Sequence, residues 1–349
     1  MKLRYPILWT SLMVLSLSAH ASGGVTLYGI LDNSVEVANV GSGTAVRMDS
    51  GEVLGSRFGF LGTEDIGGGY SIKFTLEQGF LVNNGAVSTP SLSFSRQAWV
   101  GVAGPWGELR FGRQNSPVYI PVSGLLDAFG GATIGSALIS FLSIVPRVNN
   151  AISYHTPNIA GLTAQFMVGL RDTTTAPQNG IANYHVGIEY ANGPVGATFG
   201  YQSVNDPVGI SYPSAPPGST LKALYAGVSY SFGPVTAFIG YNNNRQTETP
   251  LNRDVYVASL RYTISPDMTA AIGIGHARDK SSLDNNANQI GVSYNYFLSK
   301  RTTLYAAAAW IDNQNKATFA MNGATTAGIP VAYPGATAKG MQIGLVHRF

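Results

Sequence analysis

The chain has 349 residues, a formal charge of +3, 42 glycines, 11% charged side chains and no cysteine. So little net charge argues against a nucleic-acid partner, and the lack of cysteine excludes a disulfide framework. Beyond the N-terminal stretch no segment has the ~20 continuous apolar residues that a spanning helix needs. The longest such run, 132–145, is broken by Gly and Ser.

In chain order, Met1-Lys2-Leu3-Arg4 is basic, 7–19 is apolar, and Ala19-His20-Ala21 has the A-x-A form of a cleavage site. This predicts a signal peptide over 1–21 and a mature chain of 22–349. A first transmembrane helix is the alternative, but the run is short and no stop-transfer pattern follows. Removing Lys2 and Arg4 with the leader lowers the formal charge from +3 to +1. Lipid admits only helices and closed barrels, because backbone polar groups must be satisfied internally. An exported, strand-rich chain is therefore either soluble all-β or a transmembrane barrel.

The first strand, 25–37, puts Val25, Leu27, Gly29, Leu31, Val35 and Val37 on one face and Thr26, Tyr28, Asp32, Ser34 and Glu36 on the other, the period of a half-buried strand. The second, 46–62, sets Arg57 opposite Phe58 and Phe60. The third, 70–80, alternates Ile72, Phe74 and Leu76 with Lys73, Thr75 and Glu77. The fourth, 92–102, has Arg96 inward and Trp99 outward. The fifth, 108–114, has Arg110 inward and Leu109 and Phe111 outward. A long interruption, 115–146, follows, and the sixth strand, 147–155, turns Arg147, Asn149 and Ser153 inward. Ten more strands are expected at 162–171, 181–191, 195–204, 220–232, 235–245, 254–263, 268–278, 288–297, 302–312 and 339–349.

Sixteen strands with alternating tight turns and longer polar loops (206–219 and 313–338, for example) predict an all-β, sixteen-stranded antiparallel transmembrane barrel. Trp99, Tyr154, Tyr190, Tyr230, Phe232, Tyr262, Tyr296 and Phe349 fall near one end of the even strands, as an aromatic girdle would. A two-sheet sandwich shares the alternation but not the loop lengths or the girdle.

The interruption 115–146 is too long and too apolar for a solvent loop and carries one charge, Asp127; such stretches are usually functional. It is expected to fold into the lumen as a constriction loop. Arg57, Arg96 and Arg147 phase inward as a cationic ladder, which in a narrow pore favours anions. The alternative is that each pairs with a lumen acid such as Asp32, Glu36 or Glu77. Asp127 opposite them would set a transverse field, and the inward acids keep the anion preference modest. Lys73 and Arg110 are expected nearer the periplasmic end. Arg113 continues the outward phase, which makes it a candidate subunit contact or a snorkelling interfacial Arg. His155, His185, His276 and His347 are scattered, and no catalytic, metal or cofactor motif appears.

Several stretches resemble the general porins of Gram-negative bacteria, particularly the beta-proteobacterial type. They are Val25-Thr26-Leu27-Tyr28-Gly29, Ser56-Arg57-Phe58-Gly59, Gly62-Thr63-Glu64-Asp65-Ile66-Gly67-Gly68-Gly69, Arg96-Gln97-Ala98-Trp99-Val100-Gly101, Gly112-Arg113-Gln114, Ser299-Lys300-Arg301-Thr302 and His347-Arg348-Phe349. The resemblance implies a homotrimer in the outer membrane, a third loop in the lumen, and Arg57, Arg96 and Arg147 facing acids on that loop. It implies that terminal Phe349 is read by the barrel-assembly machinery, with membrane lipid and lipopolysaccharide as surroundings. A Pro-Glu-Phe-Gly-Gly-like loop element of the relatives corresponds here to Asp127-Ala128-Phe129-Gly130-Gly131, so the family acid falls at Ala128. The expected function is passive diffusion of small hydrophilic solutes and inorganic anions. A barrel with a plugged lumen in a structural or adhesin role, or a barrel enzyme, are the alternatives.

Overall fold

The computed structural model describes residues 23–119, 124, 126–171, 180–205 and 218–349; the expected signal peptide, 1–21, lies outside them. Among the described residues the strands are β1 (Gly24–Asn39), β2 (Thr44–Ser50), β3 (Arg57–Gly67), β4 (Tyr70–Gly79), β5 (Gln97–Gly104), β6 (Gly107–Asn115), β7 (Arg147–His155), β8 (Leu162–Leu170) and β9 (Ile181–Asn192). They continue as β10 (Val195–Asn205), β11 (Thr220–Phe232), β12 (Val235–Gln246), β13 (Asn252–Ser265), β14 (Met268–Asp279), β15 (Ala287–Phe297), β16 (Thr302–Asn313) and β17 (Ala338–Arg348). One short helix, α1 (Ala137–Phe141), interrupts them.

Apart from β2 and β3, each strand pairs antiparallel with the next, and β17 returns to β1 from Ile30↔Arg348 to Asn39↔Lys339. β2 and β3 both pair with β1, so they are two halves of one stave. The barrel is closed and has sixteen staves, as expected. Closure removes every sheet edge, which is the condition lipid imposes.

Side-chain alternation sets the two faces. Val228, Ile239, Ile274, Met341 and Ile343 point outward and are exposed. Gln202, Asn242, Asn244, Gln289 and Gln342 point inward and are buried. An apolar exterior around a polar interior is stable where the surrounding solvent is hydrocarbon. Tight turns close one end; Gly67, Gly68 and Gly69 there all have positive φ, which only glycine adopts without strain.

The structure differs from the sequence expectations in five places. The second strand is split at 51–56, because Asp32 takes over the pairing there: its carboxylate accepts the N–H groups of Val53 (2.7 Å) and Leu54 (2.8 Å). The fourth strand starts only at Gln97, after an irregular stretch in which Phe94 has φ 70°. Trp99 therefore faces Thr75 across β4 on the lumen side and leaves the girdle; Tyr230, Phe232, Tyr262 and Phe349 stay exposed on the outside. Asn149 is exposed rather than inward, because the β6–β7 register shifts beside it. Part of the inner wall is apolar: Val255, Ala277, Ala287, Ala309, Ile311 and Ala338 are buried in one cluster with Ile134, Leu138 and Phe141 of segment 115–146. The segment 314–337, expected to be polar and loose, is ordered against the barrel interior.

The described residues of segment 115–146 lie along the inward phase of β9 to β15. Tyr225 donates to the carbonyl of Val118 (2.7 Å), Ser259 Oγ accepts from Ala128 N (2.8 Å), and Gln289 Nε2 donates to the carbonyl of Ile134 (2.9 Å). The wall makes room with small residues. A methyl group at Gly227 would meet Leu126, and one at Gly291 would meet the main chain of Gly135. Ser136 caps α1 by accepting from Ile139 N at 3.2 Å.

Candidate constriction site

Arg57, Arg96 and Arg147 gather around one acid. Glu77 is buried on β4, and Arg96 Nε lies 2.8 Å from its Oε1. Arg57 Nε lies 3.3 Å from its Oε2, which also accepts the hydroxyl of Tyr28 at 2.7 Å. Arg96 precedes its strand, and its main-chain N–H donates to the carbonyl of Glu77 (3.1 Å). Arg147, at the start of β7, makes no salt bridge among the described residues. Its guanidinium carbon sits 5.5 Å from the ring of Tyr119, and its Nε and Nη2 are buried without a hydrogen-bond partner. The cluster thus holds three cations and one carboxylate.

Asp127 does not complete a field across this cluster. It is buried, and its carboxylate accepts Gly131 N (2.8 Å) and the hydroxyl of Ser136. Burial pushes its carboxyl above the ordinary range, against the pull of Ser136 and the N–H groups of 129–131. The residue that the relatives' acid matches, Ala128, packs with Phe238 and Ala271. The local turn consumes the loop's one acid.

The acids Asp32, Glu36 and Glu108 are also occupied, whereas Glu52 is buried with neither carboxylate oxygen hydrogen-bonded. Asp32 accepts Tyr305 (2.7 Å) besides the two N–H groups of the stave break. Glu36 lies 2.7 Å from Arg47, which also holds Asp49 at 2.8 Å. Toward the tight-turn end, Lys73 (3.2 Å) and Arg110 (2.5 Å) share Glu108, and Arg110 lies 4.3 Å over the ring of Trp99. Arg113 keeps its outward phase but donates to its own chain, to the carbonyl of Ser95 (2.8 Å) and to Asn149.

Sequence reasoning passed over Arg47, Glu108, Arg253 and Arg261. Their signal was present for Arg253 and Arg261: they share a phase with Ser259, opposite Tyr256, Leu260 and Tyr262. Arg253 donates to the carbonyl of Phe141 (2.7 Å) and to Ser143 Oγ (2.9 Å), so it pins the end of α1. Arg261 lies 5.0 Å over the ring of Phe238. Among the described residues no group of three or more His, Cys, Asp or Glu could hold a metal ion.

Comparison with known proteins gives four findings. A family model described as Gram-negative porin matches residues 9–316. The chain is 28% identical to outer membrane porin protein 32 of Delftia acidovorans, covering 95% of this chain and 96% of that protein. It is 29% identical to the major outer membrane protein P.IB of Neisseria meningitidis, covering 86% and 92% respectively. Among solved structures, the anion-selective porin from Comamonas acidovorans superposes with a TM-score of 0.78 at 25% identity, over 94% of this chain and 100% of that one.

Proposed function

Because this chain belongs to the Gram-negative porin family, we propose that its channel prefers small anions and that the cluster of Arg57, Arg96 and Arg147 sets this preference. The channel itself follows from the family and the closed barrel: it crosses the outer membrane and carries small hydrophilic solutes by passive diffusion, without enzymatic chemistry.

The observation that carries the anion reading is the surplus of guanidinium groups around Glu77, with Arg147 in no salt bridge among the described residues. In a narrow pore with low-dielectric walls, such a surplus lowers the entry barrier for anions and raises it for cations. The anion-selective Comamonas porin supports it as a similar structure. Segment 115–146 narrows the lumen on the opposite wall through its backbone and apolar side chains. The same family membership supports a homotrimer, lipopolysaccharide around the rim, and recognition of Phe349 by the assembly machinery. Phe349 packs over Gly29 on the outer face, with paired main-chain hydrogen bonds of 3.0 Å.

The test is reversal potential across a planar bilayer under a KCl gradient. An anion-sided potential is expected, larger at low salt because screening weakens the field. A cation-sided potential would retain the pore and remove the role of the arginines. One observation favours the plugged-barrel reading: the aromatic contact of Phe141 with Phe319 brings two inward segments together (4.9 Å between ring centres). Folded, inserted protein that passes no current would select that reading.

A further inference from the structure

Segment 314–337 joins β16 to β17, where the sequence predicts a loose polar loop. It folds back on itself instead: Asn313 Nδ2 donates to the carbonyls of Phe319 (3.0 Å) and Ala336 (2.9 Å), and Asn313 Oδ1 accepts from Phe319 N (3.0 Å). From that anchor the segment crosses to the break in the second stave. Thr325 N donates to the carbonyl of Gly51 (3.0 Å), and the hydroxyl of Thr326 donates to that of Ser50 (2.6 Å). Met321 is buried in the cluster that holds Ile134, Leu138 and Phe141.

The main-chain carbonyl of Glu52 links this segment to the other inward one. It accepts Ala324 N at 2.9 Å and Thr133 N at 2.8 Å. A second link lies at Phe319, which meets Phe141 edge-on at 4.9 Å and lies under the guanidinium of Arg253 at 4.8 Å. The segment also reaches the arginine cluster. A methyl group at Gly55 would lie 2.7 Å from Arg96 Nη1 and 2.9 Å from Thr325 Cγ2. Between α1 and this segment lies a cavity of about 960 Å³ lined by Leu142, Ile144, Arg147, Phe319 and Asn322.

We propose that residues 318–327 form a second wall of the conduction path, clasped to segment 115–146 through the carbonyl of Glu52, so that the two segments together set the width and polarity that a solute meets beside the charged arginine cluster. This rests on the pore reading above. It assigns residues such as Asn322 and Thr325 to solute selection, a role the alternation of polar and apolar residues does not reveal.

The test uses the absence of cysteine from the chain. Asn322→Cys, with Lys300→Cys in a tight turn as control, is reconstituted in planar bilayers. Each is treated with positively and negatively charged methanethiosulfonate reagents. A wall residue gives a drop in conductance with either reagent and reversal-potential shifts of opposite sign for the two, while the control stays flat. Phe319→Ala, which loosens the link to α1, is expected to raise single-channel conductance. Unchanged conductance and reversal potential at position 322 overturns the inference, whether the thiol was labelled or the reagents could not reach it from water. Silence of the unsubstituted protein would instead be a failure of the pore reading, which keeps the two outcomes apart.

Discussion

At the scale of single residues, charge pairing decides what each lumen group does. Glu77 compensates Arg57 and Arg96. Glu77→Gln keeps the shape and removes the charge, so it is expected to strengthen anion selectivity in the reversal-potential assay. The same change leaves buried guanidinium groups uncompensated, which costs about 3 kcal/mol, read as earlier thermal loss of the folded form in detergent. Asp127 acts on the loop rather than on solutes. Its carboxyl titrates above the ordinary range because it is buried. A raised carboxyl favours the folded loop below its ordinary value and loses that contribution as pH rises through the folded value. Hydrogen exchange across 127–136 is therefore expected to quicken with pH beyond the intrinsic base catalysis. In Asp127→Asn, which resembles the neutral acid, that excess should flatten; an identical pH profile in the two proteins would remove Asp127 as its source.

At the scale of elements, the inward segments and the wall are fitted to each other by volume. Gly291 lies against the main chain of Gly135, where backbone cannot retreat as a side-chain tip can. Gly291→Ala is expected to displace residues 133–136 and alter single-channel conductance. The cost of overpacking is about 1–3 kcal/mol. The β14–β15–β16 ladders should survive, because their hydrogen bonds do not involve the side chain. Native conductance in this variant would mean that the loop seat is softer than its packing implies.

At the scale of the whole molecule, stability is a matter of closure. β1 meets its last partner, β17, only when the end of the chain has been made, so the sequence separation that must be closed is nearly the full length. A chain ending at residue 337 would leave β1 and β16 with unpaired backbone groups in hydrocarbon, each costing several kcal/mol. Such a truncation is expected to give no heat-modifiable folded band after refolding into lipid vesicles. Retention of that band would show that the remaining staves close without β17.

The sequence by itself determined the barrel. Period-two alternation, tight turns alternating with long loops and the absence of a spanning helix are local patterns, and the lipid requirement turns them into one architecture. It also determined the inward phase of Arg57, Lys73, Glu77 and Arg110, since phase follows from alternation within a regular strand. Alternation carried no information where regularity stops. The break at 51–56, the late start of β5 and the shift beside Asn149 depend on Asp32, on Phe94 and on β6–β7 register, none of which a single strand encodes. Trp99 was misplaced for that reason. Asp127 was read as a pore charge because its partners, Ser136 and the N–H groups of 129–131, form only when the turn closes. The seat of segment 314–337 was invisible because it is made of main-chain hydrogen bonds to Gly51 and Glu52, residues nearly the length of the chain away. Such bonds use groups that every residue carries, so only the closed barrel decides which of them meet.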